Sequence, residues 1–228
     1  MKSILIGTLS LLFHLSLFSP GNAEQKELAF KKLAIWFEVN ETDGDGEVVF
    51  SVKAPEGLMW FKVFAPDSEV IIFINSNDER RGIDPIGLSQ IKLETGEPSI
   101  DGVKKAYPEG TYKFLARTVS GDRVYGEAEL SHKRLPAPDF SPRDEKGIDP
   151  NQAVVKWKPV KGAASYEVEI ENDDLEVGLT AELSGSATRF NIPEGFLLPG
   201  KEYEIGVMTI TKAGNKSVAE SSFETAGK

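Results

Sequence analysis

The sequence predicts an all-β protein with two β-sandwich domains in tandem and one short helix in the first domain. Two observations predict this architecture. Segments rich in Val, Ile, Phe, Tyr and Trp follow one another along the chain, separated by turns rich in Gly, Pro, Asp and Asn. Several segments alternate apolar and polar residues with a period of two, which is typical of strands with one buried face.

The first 23 residues have the composition of a secretory signal peptide. Lys2 is their only charged residue, an apolar run follows it, and Gly21 and Ala23 lie three and one residues before a cleavage site. The apolar run is shorter than the ~20 residues that a membrane-spanning helix needs. We therefore expect export, removal of residues 1–23, and no membrane insertion of the rest of the chain.

Charge and cysteine content restrict the partner and the compartment. The formal charge of the 228-residue chain is −10, which repels phosphate backbones, so nucleic acid is not an expected partner. The chain has no cysteine, whereas small secreted domains of eukaryotes commonly rely on disulfides. We expect a bacterial protein, periplasmic or extracellular, whose domains are held together by their cores.

Residues 28–134 are predicted to form the first domain, a divergent immunoglobulin-like sandwich. Its candidate strands are LAIWFEVN, GEVVFSVK, LMWFKVFA, EVIIFIN, TYKFLARTV and RVYGEAEL. A short helix is expected after Ser99, because Ile100, Val103 and Tyr107 recur at helical spacing and the Ser99 hydroxyl can cap the first turn.

Two pairs of adjacent aromatic residues lie within these strands, Trp36 with Phe37 and Trp60 with Phe61. Neighbouring residues of a strand point to opposite faces of its sheet. One member of each pair can therefore lie on an outer face. An exposed aromatic platform for a sugar or a protein partner is one hypothesis that follows.

Residues 135–150 are predicted to be a linker that runs into the first edge strand of the second domain. The segment LPAPDFSPRDEKGIDPNQ contains four prolines, alternating charges and little apolar content. We expect this proline-rich joint to set the angle between the two domains.

Three motifs mark the second domain, residues 136–226. AVVKWKPV places Trp157 on the inner face of a strand, and ASYEVEIEN alternates apolar residues with glutamates. The third motif, LLPGKEYEIGVMTI, contains Leu197, Pro199, Gly200 and Tyr203. These motifs resemble the core-tryptophan strand, the third strand and the Leu-x-Pro-Gly-x-x-Tyr signature of fibronectin type III domains. The resemblance implies a seven-stranded sandwich.

The last motif also has a physical interpretation as a structural corner. Pro199 fixes its φ angle and Gly200 permits a positive one, so the pair can form a tight turn. Tyr203 is then expected to enter the core while its hydroxyl bonds to the backbone upstream, as in the tyrosine corner of related sandwiches. The first domain repeats this pattern faintly at Pro108, Gly110 and Tyr112. The whole arrangement resembles a group of exported bacterial proteins that end in a type III domain.

The sequence offers little catalytic chemistry. After signal removal His132 is the only histidine, and the chain has no cysteine and no nucleophile or phosphate-loop motif. The glutamates Glu167, Glu169 and Glu171 alternate along one strand, which is typical of a solvated face. A hydrolase that uses carboxylates alone needs two acids across a cleft, and it stays an alternative.

The segment NETDGDGE, residues 40–47, resembles part of a calcium loop. Asp-Gly dipeptides between alternating strands favour a hairpin turn, and Val52 stands where an EF-hand loop needs its last carboxylate. A plain turn is therefore the favoured interpretation. A calcium site of other geometry, with Glu41, Asp43 and Asp45 as ligands, is the alternative.

The sequence thus predicts an exported, non-catalytic interaction protein without a cofactor. Its two sandwiches would present loops or an edge strand to a protein or glycan partner. The alternatives are a calcium-dependent adhesion module and the carboxylate-based hydrolase.

Overall fold

The computed structural model describes residues 26–76, 87–96 and 99–227. The predicted signal peptide, residues 1–23, lies outside the described residues. The described part is all-β with one short α-helix and two sandwiches in tandem, which confirms the predicted fold class. In this part of the chain no helix is both long and apolar enough to cross a bilayer.

The first sandwich contains seven strands and the helix. They are β1 Glu27–Ala29, β2 Lys32–Asn40, β3 Asp45–Phe64, β4 Val70–Asn75, β5 Leu88–Glu94, α1 Ile100–Ala106, β6 Gly110–Thr118 and β7 Arg123–Leu130. The helix is the predicted one: the Ser99 hydroxyl accepts a hydrogen bond from Gly102 N at 3.3 Å, and Val103 is buried. The N–H of Tyr107 then bonds to the carbonyl oxygen of Val103 and ends the helix.

Strand β3 belongs to both sheets of the first sandwich. Its residues 45–53 pair with β2 and β5, whereas residues 58–64 pair with β4 and β6, and the second sheet continues through β7 to β1. The two sheets enclose one core. Its large side chains include Phe37, Phe50, Phe61, Tyr112 and Phe114. The ring of Phe50 contacts those of Tyr112 and Phe114, and the ring of Phe61 contacts that of Phe114.

The second sandwich contains the remaining eight strands. They are β8 Phe140–Ser141, β9 Glu145–Ile148, β10 Val154–Trp157, β11 Ser165–Asn172, β12 Val177–Ser184, β13 Arg189–Asn191, β14 Glu202–Ile210 and β15 Lys216–Thr225. Strands β13, β10 and β8 form one sheet, and β12, β11, β14 and β15 form the facing sheet, with β9 pairing in parallel with the end of β15. The three-stranded and four-stranded sheets together contain the seven strands that the predicted resemblance implies, and β9 is an additional short strand.

The two sandwiches share a sheet. Strand β2 of the first pairs in parallel with β15 of the second, and Lys216 lies opposite Glu38. The N–H of Glu41 extends the contact by donating to the carbonyl oxygen of Val218 at 2.9 Å. The angle between the sandwiches is therefore set by strand pairing, and the expectation that the proline-rich joint alone sets it was incomplete. The two cores lie within residues 28–130 and 137–223; independent folding of domains 28–134 and 136–226 stays a prediction.

Candidate functional site

The residues of the predicted corner lie in and around the second core. Leu197, Tyr203 and Trp157 are buried, and Gly200 has a φ of +65°. The N–H of Leu198 donates to the Tyr203 hydroxyl oxygen at 2.8 Å. These contacts fix the approach to β14, so the corner has a structural role.

Two other tyrosines make comparable contacts. In the first sandwich the Tyr112 hydroxyl donates to the carbonyl oxygen of Pro108 at 3.0 Å, and burial raises the pKa of Tyr112 to about 12. In the second, Tyr166 packs on Trp157 with ring centroids 5.3 Å apart, and its hydroxyl accepts from Val160 N at 2.7 Å. Sequence reasoning missed the Tyr166 contact, although the alternation of β11 predicted that this ring is buried.

Within the segment 40–47, residues 41–44 form the turn between β2 and β3. Its carboxylates contact different partners: Glu41 pairs with Arg134 and accepts from Ala137 N at 3.1 Å, whereas Asp43 accepts from Asn40 Nδ2 at 3.0 Å. Asp45 lies opposite Asn40 in the strand ladder. Within the described residues no group of three or more histidine or acidic side chains is placed to hold a metal ion. A calcium site at Glu41, Asp43 and Asp45 stays the untested alternative.

The single histidine of the described chain has a structural position. A ring nitrogen of His132 donates to the carbonyl oxygen of Tyr107 at 2.8 Å. The centroids of the His132 and Phe37 rings lie 5.1 Å apart. The backbone N–H of His132 donates to the Glu109 carboxylate. The imidazole therefore connects the end of α1 to the segment that leads out of the first sandwich.

Asn215 connects the two sandwiches at the shared sheet. Its side chain is 1% exposed, its Oδ1 accepts from Phe37 N at 3.0 Å, and its Nδ2 donates to the carbonyl oxygens of Ser131 and Lys133 at 2.8 and 2.9 Å. One amide of the second sandwich thus satisfies three backbone groups of the first. No local sequence signal distinguishes this asparagine from an ordinary turn residue.

Lys216 follows on the outer side of the same junction. Its Nζ lies 2.6 Å from Glu167 and 3.8 Å from Glu38, and it lies 5.7 Å from the centroid of the Trp36 ring. Burial lowers the pKa of Lys216, but the neighbouring carboxylates of Glu38 and Glu167 outweigh this effect, so the pKa is raised. The ammonium group therefore remains charged and holds β2, β11 and β15 together.

The outer side of the shared sheet forms what we call the acidic face. It contains Glu38, Glu47, Glu167, Glu169, Glu171, Glu204 and Glu220. At its centre Gly206 lies between Glu169 and Glu220 in the strand ladder. Because Gly206 has no side chain, this position is the floor of a recess of about 300 Å³ with glutamates along its walls.

Both acids beside Gly206 have raised pKa values. Burial and the nearby charge of Glu167 raise the pKa of Glu169. Burial also raises the pKa of Glu220, against a hydrogen bond from Asn40 that lowers it. The negative charge of this face is therefore only partly compensated by the protein.

The outer side of the other sheet of the first sandwich forms what we call the aromatic–cation face. It comprises Trp60, Lys62, Phe73, Lys113, Leu115 and Arg117 on β3, β4 and β6. Lys62 lies opposite Phe73 on one side and Leu115 on the other, and its Nζ is 4.8 Å from the Phe73 ring centroid and 5.8 Å from that of Trp60. Phe73 is 57% exposed.

The structure therefore resolves the orientation of the aromatic pairs. Phe37 and Phe61 are buried in the first core, whereas Trp36 and Trp60 are half-buried on outer faces. Trp60 belongs to the aromatic–cation face, and Trp36 lies beside Lys216 at the junction. The exposed Phe73 was not among the residues that sequence reasoning selected, although β4, VIIFIN, is apolar on both of its faces.

Comparison with known proteins gives fold-level similarity alone. No protein-family model matches the sequence, and no curated protein matches it. A two-domain fibronectin type III segment of chicken tenascin is 15% identical, with a TM-score of 0.33, over 86% of this chain and 99% of that one. The FN1–FN3 domains of chicken CNTN1 are 13% identical, with a TM-score of 0.37, over 88% of this chain and 65% of that one. The chain thus spans about two thirds of the CNTN1 segment.

Proposed function

We propose that this chain is an exported, non-catalytic interaction protein of a bacterial periplasm or the extracellular medium, and that it binds a protein or glycan partner through the aromatic–cation face. The observation that carries the proposal is the exposed Phe73 ring beside Lys62 and Trp60. Exposed aromatic residues combined with Arg are enriched in the energetically dominant parts of protein interfaces.

Two features support binding by a preformed surface. The aromatic–cation face is built on paired strands, which hold its side chains more precisely than loops do. The pairing of β2 with β15, together with the buried Asn215, fixes the second sandwich relative to this face. A partner that contacts both sandwiches would therefore lose little free energy to ordering them.

Site-specific photo-crosslinking tests this proposal. A benzoylphenylalanine placed at Phe73 is expected to give one dominant adduct in envelope fractions of the producing cell, or a defined glycan adduct. The control places benzoylphenylalanine at Leu198, which is 45% exposed on the second sandwich. This position should give no such adduct. Equal labelling from both positions, or none from Phe73, would contradict the proposal.

A second candidate function has one observation in its favour. Glu169 and Glu220 flank the recess over Gly206, and both have raised pKa values, as the acid of a carboxylate-based hydrolase does. A panel of glycan and ester substrates tests it. Turnover that is abolished by Glu169→Gln or Glu220→Gln would favour the hydrolase, whereas the interaction function predicts no turnover.

A further inference from the structure

We propose that copies of this chain associate head to tail, with the aromatic–cation face of one copy on the acidic face of the next. This inference rests on the proposed function, because it names the partner of the same face. Its basis is that one chain carries two complementary surfaces on opposite sides.

The charges of the two faces are complementary, and several charges of each face form no ion pair with another described residue. Among the described residues, Lys62, Lys113 and Arg117 have no carboxylate within ion-pair distance. On the acidic face, Glu169, Glu171 and Glu204 have no cation of the described residues within ion-pair distance. Opposed patches of this kind steer encounter and fix the register of a complex.

The cationic region has a defined limit. On the neighbouring strand β7, Arg123 forms an ion pair with Glu27, and Tyr125 contacts Glu127. Among the described residues of this sheet, the positive charge without an ion-pair partner that forms the face lies on β3 and β6, and the exposed Phe73 lies beside it on β4. We place the contact on these three strands, with Lys62 near its centre.

The shapes of the two faces are complementary as well. Phe73 is the most exposed large apolar side chain of the described residues. The recess over Gly206, about 300 Å³ in volume, has a floor without a side chain and glutamate walls. A projecting ring flanked by a lysine fits such a recess, because the ring leaves water while the ammonium group meets the carboxylates.

The positions of the faces determine the type of assembly. The acidic face is the outer side of the sheet that contains β2, and the aromatic–cation face is the outer side of the sheet packed against it. The two faces therefore point in opposite directions. A contact between unlike faces is heterologous, and without a closing rotation it produces open chains of copies, not a two-fold dimer.

Sedimentation velocity on the intact protein, after its mass has been measured, tests the inference. The average mass of the wild-type protein is expected to rise continuously from micromolar to millimolar concentration. Lys62→Glu damages one face and Glu169→Lys damages the other, and each is expected to lower the association constant by about a hundredfold, because like charges meet in the contact.

The mixture of these two variants gives the decisive result. Lys62→Glu retains an intact acidic face and Glu169→Lys retains an intact aromatic–cation face, so in an equimolar mixture each variant supplies the face that the other lacks, and association is expected to return. Lys161→Glu and Glu194→Lys, at exposed loop positions of the second sandwich, are the matched controls and should assemble as the wild type does.

Gly206→Val provides a variant that does not change the charge. A Cβ at this position meets Val218 Cγ2 at 3.4 Å, an ordinary contact, so the strand should tolerate the side chain while the recess is filled. Assembly is expected to be lost with the melting temperature retained.

A wild-type protein that stays monomeric, a closed symmetric dimer, or a mixture of the charge variants that stays monomeric would overturn the inference. If the crosslink from Phe73 to another molecule persists in that case, the proposed function stands and only the head-to-tail partner is wrong.

Discussion

Asn215 of the second sandwich accepts a hydrogen bond from the backbone N–H of Phe37 in the first, with 3.0 Å between Phe37 N and Asn215 Oδ1. The two residues are 178 positions apart in the sequence. The contact is buried and lies beside the parallel pairing of β2 with β15. It joins the two sandwiches and so fixes the second sandwich relative to the aromatic–cation face.

Asn215→Ala should lower the free energy of unfolding by about 2 to 4 kcal/mol, because buried backbone groups of Phe37, Ser131 and Lys133 lose their partner. Urea unfolding followed by tryptophan fluorescence measures the change. Asn151→Ala, at an exposed turn position, is the control. Equal stability of the two variants would mean that Asn215 does not support the junction.

Tyr203→Phe should cost about 1 kcal/mol, because the N–H of Leu198 loses its acceptor while the ring still fills the core. Thermal unfolding of this variant can be compared with that of Tyr125→Phe, whose hydroxyl is exposed and contacts Glu127. The Tyr125 change should leave stability nearly unaltered. A larger loss at Tyr125 than at Tyr203 would contradict the role assigned to the corner.

Glu169→Gln should stabilise the protein at neutral pH. Burial, and after it the charge of Glu167, raises the folded-state pKa of Glu169 above its ordinary value of 4.5. A raised folded-state pKa means that stability is lost as pH rises through it, and that this loss is absent below the unfolded-state value. The gain from Glu169→Gln should therefore disappear as pH falls below 4.5.

The measurement for Glu169 is the midpoint of urea unfolding as a function of pH, with Glu194→Gln on an exposed loop as the control. A gain that persists unchanged at low pH would show that it does not come from the carboxylate charge. A loss of stability at neutral pH would show that the ion pairs of Lys216 depend on Glu169.

Calcium should neither release heat in a calorimetric titration nor raise the melting temperature. The reason is that Glu41 and Asp43 contact Arg134 and Asn40, respectively, and do not converge on one point. A stabilisation by calcium that Asp43→Asn removes would establish the calcium-dependent alternative.

The parts of the fold that local pattern determines could be predicted from the sequence. Alternation with a period of two identified most strands, and the Pro199–Gly200 turn with Tyr203 identified the corner. The helix followed from the capping position of Ser99 and the spacing of Val103. Each of these features depends on residues that are close in sequence.

The features that depend on distant contacts could not be predicted. The sequence suggested two strands on either side of Pro55, but β3 runs through this position and enters both sheets. Alternation alone could not decide between Trp36 and Phe37, because the answer depends on which side the second sheet packs. The pairing of β2 with β15 has no sequence signature, since Asn215 resembles a turn residue until its partners are known.

Amide hydrogen exchange at Phe37 and Glu41 tests the central claim most directly, because each N–H bonds to an acceptor in the other sandwich. If the sandwiches form one rigid unit, both amides should exchange as slowly as those of the core strands, and Asn215→Ala should accelerate both. Exchange at the rate of exposed loops in the wild-type protein would show that the sandwiches move independently and would contradict the account.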